Sequence, residues 1–295
     1  MPYSFDDVTP VELNEEEPQL CRILYDDEYK ETMGILLALM EKKEYSERAL
    51  YITEKGIELL ASHYTIWNYR YNILRHLHND LLEELDWCEQ IALDNEKNYQ
   101  IWNYRQLIIS QIDNFPPHRE YPIINAMLDL DSKNHHVWSH RKWLVETFGL
   151  HEDPKEITFV NSCIDEDVMN NSAWSHRFYI KFSKTDSHVE EEILYTRDQI
   201  ERCPQNPSSW NYLLGIYRVF GMDISELELF CLQFANISNM GVTEIIRSSF
   251  ALEALANIYE TKDKNKSAAI YDLLALTYDP IRENYWNYKK SILSS

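Results

Sequence analysis

One phrase, repeated six times around a tryptophan, constrains this chain more than any other feature. It reads Trp67-Asn-Tyr-Arg70, Trp102-Asn-Tyr-Arg105, Trp138-Ser-His-Arg141, Trp174-Ser-His-Arg177, Trp210-Asn-Tyr-Leu213 and Trp286-Asn-Tyr-Lys289. Successive tryptophans lie 35, 36, 36, 36 and 76 residues apart. Counting back 36 from Trp286 reaches Phe250, in a Ser-Ser-Phe that echoes Ser-Ser-Trp210, so the long interval reads as two units with four extra residues. A fixed period of about 20–50 residues marks stacked supersecondary units, each burying its apolar face on its neighbours.

Each period carries two apolar stripes at helical spacing, separated by a polar turn. Around Trp102 the stripes are Leu85, Cys88, Ile91, Ala92 and then Ile101, Tyr104, Leu107, Ile108, with Asp94–Asn98 between them. The next period uses Ile123, Ile124, Met127 and Leu128 before Asp131–Asn134, and the one after it Ile157, Val160, Ile164 and Val168 before Asn170–Ser172. Each turn supplies Asp, Asn or Ser where the second helix needs an N-cap. Residues 222–242 are less regular, as an insertion requires. The pattern predicts an all-α fold of about 15 helices, paired antiparallel and stacked into a right-handed α–α superhelix with a crescent shape. Only 6 Gly and 10 Pro, with 44% apolar residues, suit such an array.

Residues 1–18 hold three prolines and a run of carboxylates and read as an unstructured acidic arm, leaving 19–295 as one helical-repeat domain. Five cysteines without a CxxC pair point to free thiols in a reducing compartment. No signal peptide, lipidation motif or apolar run of about 18 residues is present, which predicts a soluble cytoplasmic protein without membrane insertion. A net charge of −21 argues against nucleic acid as a partner.

In Trp-x-x-Arg the two side chains share a helix face. The indole fills a seam and needs an acceptor for its N–H, while the arginine lays its stem there and bonds carbonyls or carboxylates of the preceding turn. These are packing roles; Trp87 and Trp143, which lie outside the repeat register, read as packing or partner-interface residues rather than catalytic ones. Chemistry belongs instead to positions that vary just before each tryptophan. Five before are Lys97, Lys133, Met169 and Gln205; three before are Tyr64, Tyr99, His135, Asn171 and Pro207; two before are Thr65, Gln100, His136, Ser172 and Ser208. The lysines, tyrosines, glutamine and histidines cluster in the first three repeats, at helix N-termini suited to an anion. Spacing alone allows solvated turn residues equally. His136 and His140 are also spaced for zinc. His140, however, occupies the slot of Tyr69, Tyr104 and Tyr212, so it is assigned to packing and no metal to this chain.

The phrases Asn98-Tyr-Gln-Ile-Trp-Asn-Tyr-Arg105, Lys133-Asn-His-His-Val-Trp-Ser-His-Arg141, Asn170-Asn-Ser-Ala-Trp174 and Asp279-Pro-Ile-Arg-Glu-Asn-Tyr-Trp286 resemble the repeats of protein prenyltransferase α subunits. The similarity covers residues 20–293 and is to the α subunit shared by farnesyltransferase and type I geranylgeranyltransferase in its fungal form. It implies a heterodimer with a catalytic β subunit, which holds the zinc, while magnesium accompanies the isoprenoid diphosphate. It also implies transfer of farnesyl or geranylgeranyl to the cysteine of a C-terminal CaaX sequence, on proteins such as small GTPases.

By this resemblance Lys97 and Tyr99 act at the diphosphate and the reacting ends, and Gln100 holds the CaaX carboxylate. Tyr64, Lys133 and His136 complete the substrate rim. His135 stands where the family has tyrosine, so a hydroxyl is missing there. Two alternatives remain. One is the α subunit of type II (Rab) geranylgeranyltransferase, which usually lacks the Gln100 equivalent. The other is a tetratricopeptide-like scaffold, whose period is about 34 with small packing residues.

Overall fold

The computed structural model describes residues 2–13, 23–184, 187–237 and 245–293. The chain divides into two compact units, residues 1–148 and 149–295. The first contains α1 (Asp27–Glu41) and three hairpins: α2 (Glu47–Leu59) with α3 (Tyr64–Leu77), α4 (Leu81–Asp94) with α5 (Tyr99–Ile109), and α6 (Tyr121–Leu130) with α7 (His135–Phe148). The second contains α8 (Pro154–Glu166) with α9 (Asn171–Phe182), α10 (Val189–Arg202) with α11 (Pro207–Val219), α12 (Glu228–Leu232) followed by α13 (Ser249–Lys262), and α14 (Lys264–Leu273) with α15 (Glu283–Ile292). Within the first unit the second helices α3, α5 and α7 pack side by side, as do α9, α11 and α13 within the second. The predicted all-α hairpin array is thus the observed fold; the described residues add only a two-residue ladder, Ala235–Asn236 against Ile245–Ile246.

The expected caps are in place. Asn98, Asn134, Asn170 and Asn206 each accept backbone N–H groups at the start of α5, α7, α9 and α11. Asn134 Nδ2 also donates to the Glu96 carbonyl, and Asn206 Nδ2 to that of Val168, so the cap of one hairpin bonds the turn of the hairpin before it. The tryptophan lies four residues after each cap. By that rule Ser248, which caps α13, puts Leu252 in the tryptophan position. Leu252 is fully buried and Phe250 only partly, so the counterpart expected at Phe250 is two residues further on.

The indole N–H groups find the acceptors they need. Trp67, Trp138, Trp174 and Trp210 donate to the carbonyls of Ala61, Ser132, Val168 and Pro204, six residues upstream, at 2.8–2.9 Å. The arginines differ from expectation. Arg70 is held bidentate by Glu84 at 2.7 and 2.8 Å, Arg105 by Glu120 at 3.0 and 2.7 Å, and Arg177 by Glu192 at 2.6 and 2.7 Å. Each carboxylate comes from the first helix of the following hairpin, or from the 3-10 turn leading into it, rather than from the preceding turn. The same carboxylate then accepts from the next repeat's aromatic slot: Tyr104 to Glu84 at 2.6 Å, His140 to Glu120 at 3.0 Å and Tyr212 to Glu192 at 2.6 Å. Aromatic faces cover two of the guanidiniums, Trp87 over Arg70 and Tyr195 over Arg177, each at 3.7 Å. Trp143 stacks on His140. Both extra tryptophans thus make packing contacts within the chain, one of the two roles expected for them beside a partner interface.

At Glu120 burial opposes ionisation, but His140 and Arg105 outweigh it and hold the carboxyl at about 2. At His140 burial outweighs Glu120 and pushes the imidazole below its ordinary value, so it is neutral at pH 7 and donates Nε2–H to the carboxylate.

Residues 2–13, expected as part of an unstructured arm, dock on α1 and α2; residues 14–18 lie outside the described residues. Val8 is buried, Val11 N–H donates to the Gly34 carbonyl at 3.0 Å, and Asp7 binds Arg48 with both oxygens. Gly34 permits the approach, since a Cβ there would meet Pro10 and Val11 at 2.9 Å. One apolar anchor and one bidentate pair outweigh the acidic composition locally.

Glu120→Gln should lower stability by about 3 kcal/mol at pH 7, because a buried guanidinium loses its counter-charge. A carboxyl held at about 2 against an ordinary 4.5 contributes fully above pH 4.5, and its contribution fades as pH falls through 2. Urea titrations of both proteins should therefore show a constant gap above pH 5 that narrows towards pH 2.

Candidate functional site

Three turns of the first unit, between α2 and α3, α4 and α5, and α6 and α7, are tied to one another. Gln100 Nε2 donates to the Ser62 carbonyl at 3.0 Å, Asn134 Nδ2 reaches the Glu96 carbonyl, and Lys97 Nζ pairs with Asp131. Tyr64, Tyr99 and His135 are each the first residue of their helices, the position that aims a side chain over the turn edge.

Two cavities meet at this edge. The larger, about 630 Å³, lies on the turn side and includes Ser62, Asn98, Lys97, Tyr99 and Gln100 in its lining. The smaller, about 270 Å³, lies between α3 and α5 and is lined by Tyr64, Trp67, Asn68, Tyr99, Gln100, Asn103, Tyr104 and Leu107. Tyr99 and Gln100 form the partition. Tyr64 and Tyr99 are exposed, whereas Gln100 is buried. Its amide cannot rotate freely, because one N–H is committed to Ser62.

Beyond Tyr99 lies His136, ring to ring at 6.1 Å, with His135 edge-on to it at 5.7 Å. Partial burial first, then His135 and Lys97, push the His136 imidazole below its ordinary value, so it is neutral at pH 7. Lys97 and then the Lys133 N–H hold the Asp131 carboxyl low. Lys133 donates that N–H at 3.0 Å. The structure thus brings Tyr64, Tyr99 and Gln100 into one pocket, with Lys97 in the adjoining cavity. His136 and Lys133 stand one repeat further along and line neither cavity.

The family description "Protein prenyltransferase alpha subunit repeat" matches residues 46–77, 81–112, 117–148, 153–180 and 189–219. The protein farnesyltransferase/geranylgeranyltransferase type-1 subunit alpha of Candida albicans is 60% identical over 304 residues, covering 99% of this chain and 98% of that one. The corresponding subunit of Schizosaccharomyces pombe is 41% identical over 37% of each chain. This chain belongs to the protein prenyltransferase α-subunit family. Within it, the chain is an α subunit of the farnesyltransferase/geranylgeranyltransferase type-1 kind. The solved structure titled "Candida albicans protein geranylgeranyltransferase-I complexed with GGPP" matches at a TM-score of 0.93, with 59% identity over 99% of both chains.

For a prenyltransferase α subunit, two pocket residues escaped the sequence reading: Asn68 and Asn103. Each directly follows a repeat tryptophan and lies four residues after Tyr64 or Tyr99, hence on the same helix face. The signal was available, since the residue after every repeat tryptophan is Asn or Ser, poor choices for a helix interior. All six are exposed. A comparable groove of about 140 Å³ recurs between α9 and α11, but there Ser208 donates to Asn171 and no lysine or N-terminal tyrosine is present. Of the two helix-face grooves, the one bearing both tyrosines is in the first unit.

Gln100→Glu should destabilise the chain by about 1–3 kcal/mol at pH 7, since a buried carboxylate would face the Ser62 carbonyl. Protonated, the new side chain can donate to that carbonyl, so its folded pKa is raised and the cost should shrink on acidification. Thermal melts at pH 7 and pH 4.5 check this: an equal penalty at both would contradict the geometry.

Proposed function

We propose that this prenyltransferase α subunit, with residues 19–295 acting as one repeat domain, works in the cytoplasm in a heterodimer with a β subunit. The pair transfers farnesyl or geranylgeranyl from its diphosphate to the cysteine of a CaaX sequence, on substrates such as small GTPases. The observation that carries this reading is the shared partition: Tyr99 and Gln100 line both cavities, and Lys97 lines the larger one.

In the reaction a sulfur–C1 bond forms, the C1–O bond breaks, and the diphosphate leaves with the electron pair. Negative charge grows on the departing oxygens, and a preorganised cation or hydroxyl aimed there lowers the barrier by about 3 kcal/mol. Lys97 supplies the cation and Tyr99 the hydroxyl, with Tyr64, Lys133 and His136 as further substrate-binding positions of the rim. The second N–H of Gln100 remains to bind the peptide carboxylate, a donor without the desolvation cost of a buried ammonium.

Among the described residues no three His, Cys, Asp or Glu side chains converge as a metal site. In this reading zinc belongs to the β subunit, where it would hold the acceptor cysteine as a thiolate at neutral pH, and magnesium would accompany the diphosphate. The α subunit alone is inert in this reading. No helix among the described residues is long and apolar enough to cross a membrane.

Co-expression with a fungal farnesyltransferase β subunit should give CaaX-dependent prenyl transfer that needs both chains. Lys97→Ala should lower kcat about 100-fold with little change in lipid diphosphate affinity. Failure to form a complex with any of the farnesyl, type I or Rab β subunits would refute the assignment.

A further inference from the structure

We propose that residues 2–13 are a releasable strap, which closes the first end of the array in place of a preceding repeat through a clamp of reversed charge.

In the interior clamps a carboxylate at the start of a hairpin takes a guanidinium from the repeat before it. The α2–α3 hairpin has no repeat before it. One 36-residue period ahead of Glu84, in the position of that carboxylate, α2 carries Arg48. All five of its guanidinium N–H donors find acceptors. Nη1 and Nη2 bond the two Asp7 oxygens at 2.6 and 2.9 Å, and Nε and Nη2 bond the Glu44 carboxylate at 2.7 and 2.9 Å. Nη1 also reaches the Ser4 carbonyl at 3.3 Å. The cation therefore sits on the helix and a carboxylate comes from the preceding segment, which is the interior arrangement with its signs exchanged. The aromatic slot is kept: Tyr69 of α3 donates to the Glu44 carbonyl. Glu44 thus holds Arg48 with its side chain and α3 with its backbone.

What sets this clamp apart is its access to water. The Arg105 and Glu120 side chains are 0% exposed, whereas that of Asp7 is 66% exposed and that of Arg48 23%. Salt screens charges that water reaches and acts far less on buried pairs. Beside the ion pair, the arm has the buried Val8, the Val11 N–H on the Gly34 carbonyl, and ring contacts of Tyr3 with Tyr51 and of Phe5 with Arg48. Few buried contacts and one accessible clamp put the arm at the low-stability end of the molecule, where local opening precedes global unfolding. Opening leaves Glu44 as the one carboxylate on Arg48. Through the Glu44 carbonyl it loosens Tyr69 and the α2–α3 hairpin, whose turn supplies Ser62 and Tyr64.

The test is hydrogen exchange, read by mass spectrometry, on the full chain as wild type, Asp7→Asn and Asp7→Glu. Each is measured in 0.1 M and 1 M NaCl, a change that shortens the screening length from about 10 to about 3 Å. The peptides followed hold Val11, the α2–α3 hairpin and, as an internal reference, the α6–α7 hairpin. In 0.1 M salt Asp7→Asn should speed exchange at Val11 about three- to tenfold and in α2–α3 by a smaller factor, with α6–α7 unchanged. High salt should do the same to the wild type and to Asp7→Glu, which keeps the charge, and should add nothing to Asp7→Asn. Unchanged Val11 exchange in Asp7→Asn, or a salt response that survives loss of the charge, would mean that packing alone fixes the arm and would overturn the inference. Faster exchange at Val11 with α2–α3 unmoved would make the arm a passive tail and overturn it equally.

Discussion

A buried carboxylate shared between consecutive repeats is the interaction on which the rest of the structure depends. Glu84, Glu120 and Glu192 each take a bidentate guanidinium from the repeat before and a hydroxyl or imidazole donor from the repeat after. Stranding any one of these charges in the interior would cost several kcal/mol, so none is tolerated without its partners. The apolar stripes supply most of the burial, but they are non-directional and permit sliding. The clamp does not permit it. Two parallel hydrogen bonds from a planar fork fix both distance and rotation.

The clamp explains why tyrosine and histidine alternate in one slot. Both reach the carboxylate with a neutral donor at pH 7, the histidine because burial keeps it unprotonated. It also explains the two tryptophans outside the register, since Trp87 covers the face of a clamped guanidinium and Trp143 stacks on a clamping imidazole. Register set in the interior is carried to the surface through the asparagine caps, whose amides bond the preceding turn. The turns that bear Tyr64, Tyr99 and Lys97 are thus held by bonds whose other ends lie in the core.

Buried and exposed polar groups divide the labour at that edge. Gln100 is buried and committed to a carbonyl, so it presents one donor in a fixed direction. Lys97 is exposed and engaged in a weak pair, so it can change partner at small cost. In the proposed reaction these are the properties needed, a static donor for a carboxylate that stays in place and a movable charge for a leaving group that develops. Placing either residue in the other's environment would defeat it: a buried ammonium resists desolvation, and an exposed amide competes with water.

The sequence by itself determined the repeat, its period, the helix caps and the packing role of tryptophan, because each depends on local spacing along one or two helices. It also singled out Tyr64, Lys97, Tyr99, Gln100, Lys133, His135 and His136 as the chemically capable members of a periodic rim, without showing which of them share a pocket. It left three things undecided. Glu84, Glu120 and Glu192 carry no mark among 49 acidic residues, because their burial depends on a partner 14 or 15 residues upstream and another 20 downstream. Asn68 and Asn103 sat inside a phrase read as structural, and their outward aim follows from which helix face the neighbouring hairpin covers. The docking of residues 2–13 required the groove beside Gly34, which exists only once α1 and α2 have packed. Periodicity states which residues share a face; tertiary packing alone decides what that face meets, and so which charges are buried, which are free to move, and where a pocket forms.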